Sequence, residues 1–176
     1  MDDWIEEDLT LQAEASTEKT SRVLDQHVIR EPIRILQPRT PLSLPPSATV
    51  ADAVRMMREH RVGCLLVVAS DRLVGIITER DLLLKLEQGD LDRPVSQLMT
   101  PDPEVLGLAD PIAYALNKMS VGGFRHIPLV DATGRPVGIV SVKDIVDYIV
   151  DFFPNDILTV PPEPSQGERW RGRDGG

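Results

Sequence analysis

The sequence predicts an α+β protein built from two copies of one small unit. Three observations carry that prediction: an internal repeat through most of the chain, helical spacing of apolar residues early in each copy, and two short apolar runs joined by a turn later in each. The repeat sets the organisation. Displaced by 62 positions, "PIRILQPRTPLSLPPSATVADAVRMM" (32–57) lies on "PVSQLMTPDPEVLGLADPIAYALNKM" (94–119) without a gap. Pro32 falls on Pro94, Leu36 on Leu98, Pro41 on Pro103, Ala53 on Ala115 and Met57 on Met119. The register holds to Val68 on Val130, then slips by one across "ASDR" and "DATGR", after which Gly75, Ile76 and Asp81 fall on Gly138, Ile139 and Asp144. The chain divides accordingly into an N-terminal extension (1–31), a first unit (32–90), a second unit (91–153) and a flexible Pro/Gly-rich tail (154–176).

Both units order their elements alike. Val50, Ala53, Val54 and Met57 are spaced i, i+3, i+4, i+7, as are Ile112, Ala115, Leu116 and Met119, and each set is one face of a helix. Thr49 suits the N-cap of the first helix; Asp110 suits that of the second, with Pro111 at the first helical position. A strand follows, "GCLLVVA" or "RHIPLV", then a turn, "SDR" or "DATGR", then a second strand, "LVGII" or "PVGIV". The closing helices are expected from about Asp81 to Leu86 and from about Asp144 to Phe153, where Ile145, Tyr148, Ile149 and Phe152 share a face. Residues 1–30 are polar and acidic, and no chemistry is assigned to them. The Pro, Gly and charge of "VPPEPSQGERWRGRDGG" read as disorder, with Trp170 either a docking aromatic or part of an unattached terminus.

Composition narrows the function classes. A hydrophobic content of 41% supports a core, and only 4% aromatic residues makes that core aliphatic. The longest apolar run, "CLLVVA", is too short to span a bilayer, and the acidic start "MDDWIEEDLTL" lacks a signal peptide's basic and apolar regions. The expectation is a cytoplasmic protein without membrane insertion. A net charge of −9 argues against nucleic acid as the main partner. Cys64 is the sole cysteine, which excludes an intrachain disulfide and reads as a small core residue. His27, His60 and His126 lack metal-ligand spacing, so no metal site is expected.

The chemistry concentrates in "GIITERD" (75–81) and its second copy "GIVSVKD" (138–144). Thr78 precedes Asp81 by three positions, and Ser141 precedes Asp144 likewise. One reading is a capping box that starts a helix, although Asp is short for the return bond that Glu or Gln usually makes. "TVAD" at 49–52 has the same form and no other sign of a site. The other reading is a ligand site. In both copies a glycine three residues before the hydroxyl lets a backbone approach closely, and a helix N-terminus attracts anions. An aspartate one turn in accepts two hydrogen bonds from a vicinal diol. A group with both a diol and a phosphate is a nucleotide. The residues by themselves leave both readings open.

The repeat resembles a tandem pair of CBS domains, the module named after cystathionine β-synthase and often called a Bateman module. The resemblance covers roughly 32–150 and rests on "G-h-x-[S/T]-x-x-D", complete in both copies, and on "FRHIPLVD" (124–131) as the preceding strand. It implies two βαββα-type units related by a pseudo-twofold axis, with sheets packed together, helices outside and two clefts between the units. It implies further that Asp81 and Asp144 hold ribose hydroxyls and that Thr78 and Ser141 sit near ribose or phosphate. Adenine would then lie against the extended segments, Thr40 to Leu42 and Thr100 to Val105. By the repeat, Arg125 and His126 occupy the places of Gly63 and Cys64, and in nucleotide-binding members basic residues there contact phosphates. Glu79 beside the first hydroxyl is replaced by Val142 beside the second, and a carboxylate near a phosphate is unfavourable by about a kcal/mol. Arg80 and Lys143 are equivalent and can serve either cleft. The expectation is that Ser141, Asp144, Arg125 and His126 form the tighter cleft.

Three functions are weighed on this basis. The first is a regulatory sensor that takes an adenosine-containing ligand, AMP, ADP or ATP ahead of S-adenosylmethionine or NAD, and shifts the packing of its halves without chemistry. Its ligand is an effector, so no cofactor is required. The second, an enzyme, has neither a nucleophile–base pair nor a phosphate-binding glycine loop in its favour. The third is an interaction module of the same fold without nucleotide binding. The resemblance implies a homodimer formed through helices whose apolar stripes, Val50 to Met57 and Ile112 to Met119, serve equally well as core. With no catalytic domain in the sequence, output is expected to reach an effector protein in trans.

Overall fold

The computed structural model describes residues 28–87 and 89–152. Residues 1–27, Trp170 and the rest of the tail, and the expected helix end at Phe153 lie outside the described residues.

The first unit contributes β1 (Ser43–Leu44), α1 (Val50–His60), β2 (Cys64–Ala69), β3 (Arg72–Thr78) and α2 (Glu79–Lys85). The second contributes β4 (Thr100–Pro101), α3 (Ile112–Gly122), β5 (His126–Val130), β6 (Pro136–Ser141) and α4 (Val142–Val150). The apolar spacing of α1 and α3 is used as expected: Val50, Ala53, Met57, Ile112, Ala115 and Met119 are buried. Those stripes are therefore core of the chain itself and are not free to pack against a second copy.

The hairpins set the strand registers. Ser70 and Asp71, the two residues between β2 and β3, both have positive φ (47° and 62°), the twist of a primed two-residue turn. Counted between the equivalent strand pairs, Val68 with Leu73 and Val130 with Pro136, the second connection is one residue longer, which is the slip in the repeat. Gly134 takes φ 82° there, and the Asp131 carboxylate accepts from the N–H groups of Thr133 and Arg135. Each pair carries its register shift at an equivalent place, Val67/Val68 and Leu129/Val130.

The sheets are not closed within their own units. In the first, the strands lie in the order β1-β2-β3-β4, so the strand that opens the second unit completes the first unit's sheet. Thr100 and Pro101 pair antiparallel with Ile76 and Gly75, while Arg39, from the first unit's leading segment, bridges to Ile139 of β6. Short helical turns behave in the same way. Ile33 lies in the core with Ile112, Ile127 and Leu129, and Val95 lies in the core with Val50, Leu65 and Ile77. Backbone bonds repeat with the same symmetry: Ile33 N–H donates to Asp110 O (2.8 Å) and Val95 N–H to Ala48 O (2.8 Å). Each unit thus reaches an arm into the other around a pseudo-twofold axis. A third cluster, Cys64, Leu66 and Ile76 with Ile139, joins the two sheets at that axis.

Helix starts differ in part from expectation. Thr49 caps α1 with a complete capping box. Pro111 itself, in extended conformation, takes the N-cap place of α3, and no side chain caps that helix. Asp110 is used elsewhere: its carboxylate accepts from Gly107 N–H (2.7 Å), and its carbonyl receives the Ile33 arm. The closing helices begin two residues earlier than expected because Thr78 and Ser141 are themselves the N-caps.

Candidate ligand-binding site

The hydroxyl–aspartate pair is a capping box in both copies. The Thr78 hydroxyl accepts from Asp81 N–H (3.2 Å), and Asp81 Oδ2 accepts in return from Thr78 N–H (3.0 Å) and the Thr78 hydroxyl (2.7 Å). Ser141 and Asp144 repeat the arrangement, with the return bond at 2.7 Å. Asp is not too short for that bond, because extended backbone at the cap (ψ 162° and 163°) brings the N–H toward the carboxylate. Capping uses only Oδ2. The other oxygen of Asp81 faces a cavity.

That cavity has a volume of about 480 Å³, within the usual range for small-molecule sites. One wall comes from the first unit: Ile76, Thr78 and Asp81 at the junction of β3 and α2, then Leu84 and Lys85 further along the helix. The floor is the crossing segment that begins at Thr100. The opposite wall is the end of α3 and the start of β5, Gly123 to His126. Gly75 makes the floor possible, since a Cβ there would sit 2.4 Å from Met99 Sδ and 3.1 Å from Thr100 O. Gly123, left-handed at φ 67°, ends α3 and turns its carbonyl toward α2, where Arg80 Nη1 donates to it (3.1 Å). Asp81 Oδ1 accepts from Lys85 Nζ (2.6 Å) and from Thr100 Oγ1 (3.2 Å), and Lys85 Nζ also donates to Leu98 O (2.9 Å).

Charge in the cavity is mixed. Burial pushes the Asp81 carboxyl up, but hydrogen bonds from Lys85 and Thr78 outweigh it and hold the group below the ordinary carboxylate value. Burial, with Arg125 adding to it, pushes His126 below its ordinary value; Asp144 and Glu79 oppose the shift. His126 is therefore a neutral imidazole near pH 7, and the fixed cations are Arg80, Lys85 and Arg125. Burial also pushes the Cys64 thiol up to about 12, so it is an inert core group, as its apolar run suggested.

A sequence model of the CBS domain matches residues 33–88 and 95–151. The chain belongs to the CBS-domain family. It is 39% identical over 107 residues to an uncharacterised 17.7 kDa protein of Acidianus ambivalens, covering 60% of this chain and 65% of that one. The chain spans only 20% of some longer CBS-domain-containing proteins of Arabidopsis thaliana. Among solved structures it is similar to the CBS domain protein PAE2072 of Pyrobaculum aerophilum, complexed with AMP (30% identity, TM-score 0.61, 68% of this chain and 98% of that one). It is also similar to the CBS domain pair of protein MJ0100, in complex with 5′-methylthioadenosine and S-adenosyl-L-methionine (25% identity, TM-score 0.63, 68% and 96%).

The CBS pair groups its expected site residues differently from the sequence reading. Thr78, Arg80, Asp81, Thr100, Arg125 and His126 line the one cavity. Ser141, Asp144, Lys143, Thr40, Leu42 and Val105 are not on its walls. Placing Arg125 and His126 with Ser141 and Asp144 follows strand register, since His126 pairs with Ser141 and Arg125 O accepts from Val142 N–H (3.1 Å). The cavity cuts across that register, because the strand start lies near the axis where motifs from both units meet. Glu79 of the first unit and Asp144 of the second both act on His126 and on Cys64. Lys143 is paired with Asp147, Thr40 is exposed, and Leu42 packs against the first unit's core. Lys85 was not among the expected residues; the signal for it was its place four residues after Asp81 on one helix. Among the described residues no cluster of His, Cys, Asp and Glu is placed to hold a metal, and no helix is long and apolar enough to cross a membrane.

Proposed function

We propose that this CBS pair is a regulatory sensor that binds an adenosine-containing ligand, with AMP, ADP or ATP preferred, in the cavity between its units. The observation that carries this reading is the diol-type carboxylate of Asp81 facing Arg125 across one cavity of nucleotide size. Relatives solved with AMP, and with 5′-methylthioadenosine and S-adenosylmethionine, support the ligand class. Asp81 and Thr78 take the ribose, Arg80, Arg125 and His126 take phosphate, and Ser141, Asp144 and Lys143 serve the pseudo-symmetric position. The Asp81 cleft, holding the basic wall, becomes the tighter of the two in place of the Asp144 cleft. Binding brings together parts of both units, so occupancy favours one relative packing of the halves. Such a shift is read by an effector protein in trans, and the pair acts as a homodimer.

Titration calorimetry with AMP tests the reading. Wild-type protein binds, and Asp81→Ala loses at least about tenfold in affinity, equivalent to about 1.4 kcal/mol. Unchanged affinity in Asp81→Ala removes this cleft from consideration. A second reading, an interaction module without a nucleotide, draws on the fact that Asp81 is already fully hydrogen-bonded by the protein's own groups. A thermal-shift series with AMP, ADP, ATP, S-adenosylmethionine and NAD separates the two, since no shift with any of them favours the interaction module.

A further inference from the structure

An ionised carboxylate has about four acceptor sites, and Asp81 uses four. Two bonds on Oδ2, from the Thr78 N–H and hydroxyl, hold the start of α2. Two on Oδ1, from Lys85 Nζ and Thr100 Oγ1, face the cavity. A diol that reaches Asp81 must therefore displace the cavity-facing pair or break the helix cap. Exchanging the Lys85 ammonium for a neutral hydroxyl is unfavourable, because a charge-assisted hydrogen bond is roughly twice as strong as a neutral one. The exchange becomes favourable when the displaced ammonium meets a new anion. Protein carboxylates offer little: Glu104 is already paired with Lys118, and Glu79 and Asp102 stand at the exposed rim. Lys85 Nζ also donates to Leu98 O, and its side chain is 43% exposed on a long flexible stem that can turn the ammonium toward the cavity.

We infer that Lys85 is a specificity-determining residue of this cleft, acting with the phosphate-facing Arg80 and Arg125. It pairs with Asp81 in the protein by itself and transfers to the ligand's own phosphate once the ribose has taken Asp81. The cleft thus selects a phosphorylated nucleoside over an uncharged one, and disfavours a sulfonium nucleoside, whose positive charge meets the displaced ammonium. This rests on the nucleotide reading above and adds the basis of its selectivity. The pseudo-equivalent of Lys85 is Tyr148, which packs on the second unit's core and stacks edge-to-face on Phe152 at 5.3 Å, so the Asp144 position lacks this device.

The test is calorimetry of AMP and adenosine against wild-type protein, Lys85→Met and Lys85→Arg, with Asp81→Asn assigning the isotherm to this cleft. Wild-type protein is expected to prefer AMP by at least tenfold. Lys85→Met narrows that ratio at least threefold by losing AMP affinity and gaining adenosine affinity, Arg80 and Arg125 keeping the remainder, and Lys85→Arg preserves it. An unchanged ratio in Lys85→Met, or an equal loss for both ligands, overturns the inference while leaving the nucleotide reading in place. Failure of wild-type protein to bind either ligand overturns both. If Lys85→Met melts well below wild type, Lys85→Gln takes its place in the same comparison.

Discussion

Asp81 divides its two oxygens between the helix cap and the cavity, and this is why one short motif reads convincingly as either a cap or a site. Its neighbours are less evenly matched. Burial and Arg125 disfavour charge on His126, so the folded state holds that imidazole neutral below its ordinary value of 6.5. A group depressed in this way stabilises the fold fully above the ordinary value, and the contribution is lost as pH falls through the folded one. Urea midpoints should therefore fall between pH 7.5 and 5.5 in wild-type protein, with a shallower slope in His126→Asn. Equal slopes would show that Asp144 and Glu79 already offset the burial. If the proposed phosphate lies beside the ring it reverses the preference, so AMP titrated near pH 6 should take up a proton, read as a heat that changes with the ionisation enthalpy of the buffer.

Helices and hairpins were legible in the sequence because their causes are local. The i, i+3, i+4, i+7 spacing of Val50 to Met57 is the buried face of α1, and "SDR" and "DATGR" are the turns. What the pattern did not carry was the destination of the extended segments. Ile33 and Val95 are apolar whichever core receives them, and β1 and β4 are two residues each, too short for any period. The same gap explains why the cavity gathers the expected residues in a different grouping from the one the motifs suggest: strand register is local, whereas the cavity depends on a crossing. The motif glycine is where the crossing is enforced. Gly75→Ala places a Cβ against Met99 and the Thr100 carbonyl, and is expected to cost about 1–3 kcal/mol in denaturant unfolding. It should also weaken AMP binding by lifting β4 from the cleft floor. A variant as stable as wild type, with unaltered affinity, would mean that β4 does not set the floor.

Across the whole molecule, the reciprocal arms make each unit's stability depend on residues of the other. Ile33 is fully buried in the core of α3 and β5, so Ile33→Ala should cost about 2–5 kcal/mol. Hydrogen exchange should place the lost protection first in α3 and β5, although the substitution lies in the leading segment of the first unit. Val95→Ala should give the mirror pattern in α1 and β2. Loss confined to the mutated unit's own elements would contradict the arm exchange.

That exchange has a consequence for how such a chain arises. One copy of the unit, by itself, carries an arm with nowhere to dock and a groove with nothing in it. Two identical copies would complete each other about a true twofold axis, at the entropic cost of bringing separate chains together. Joining them end to end makes the second encounter intramolecular and independent of concentration. Covalent duplication also releases the halves from identity. Lys85 can then become Tyr148, and Gly63 and Cys64 can become Arg125 and His126, without any change being imposed on both sides of the axis at once.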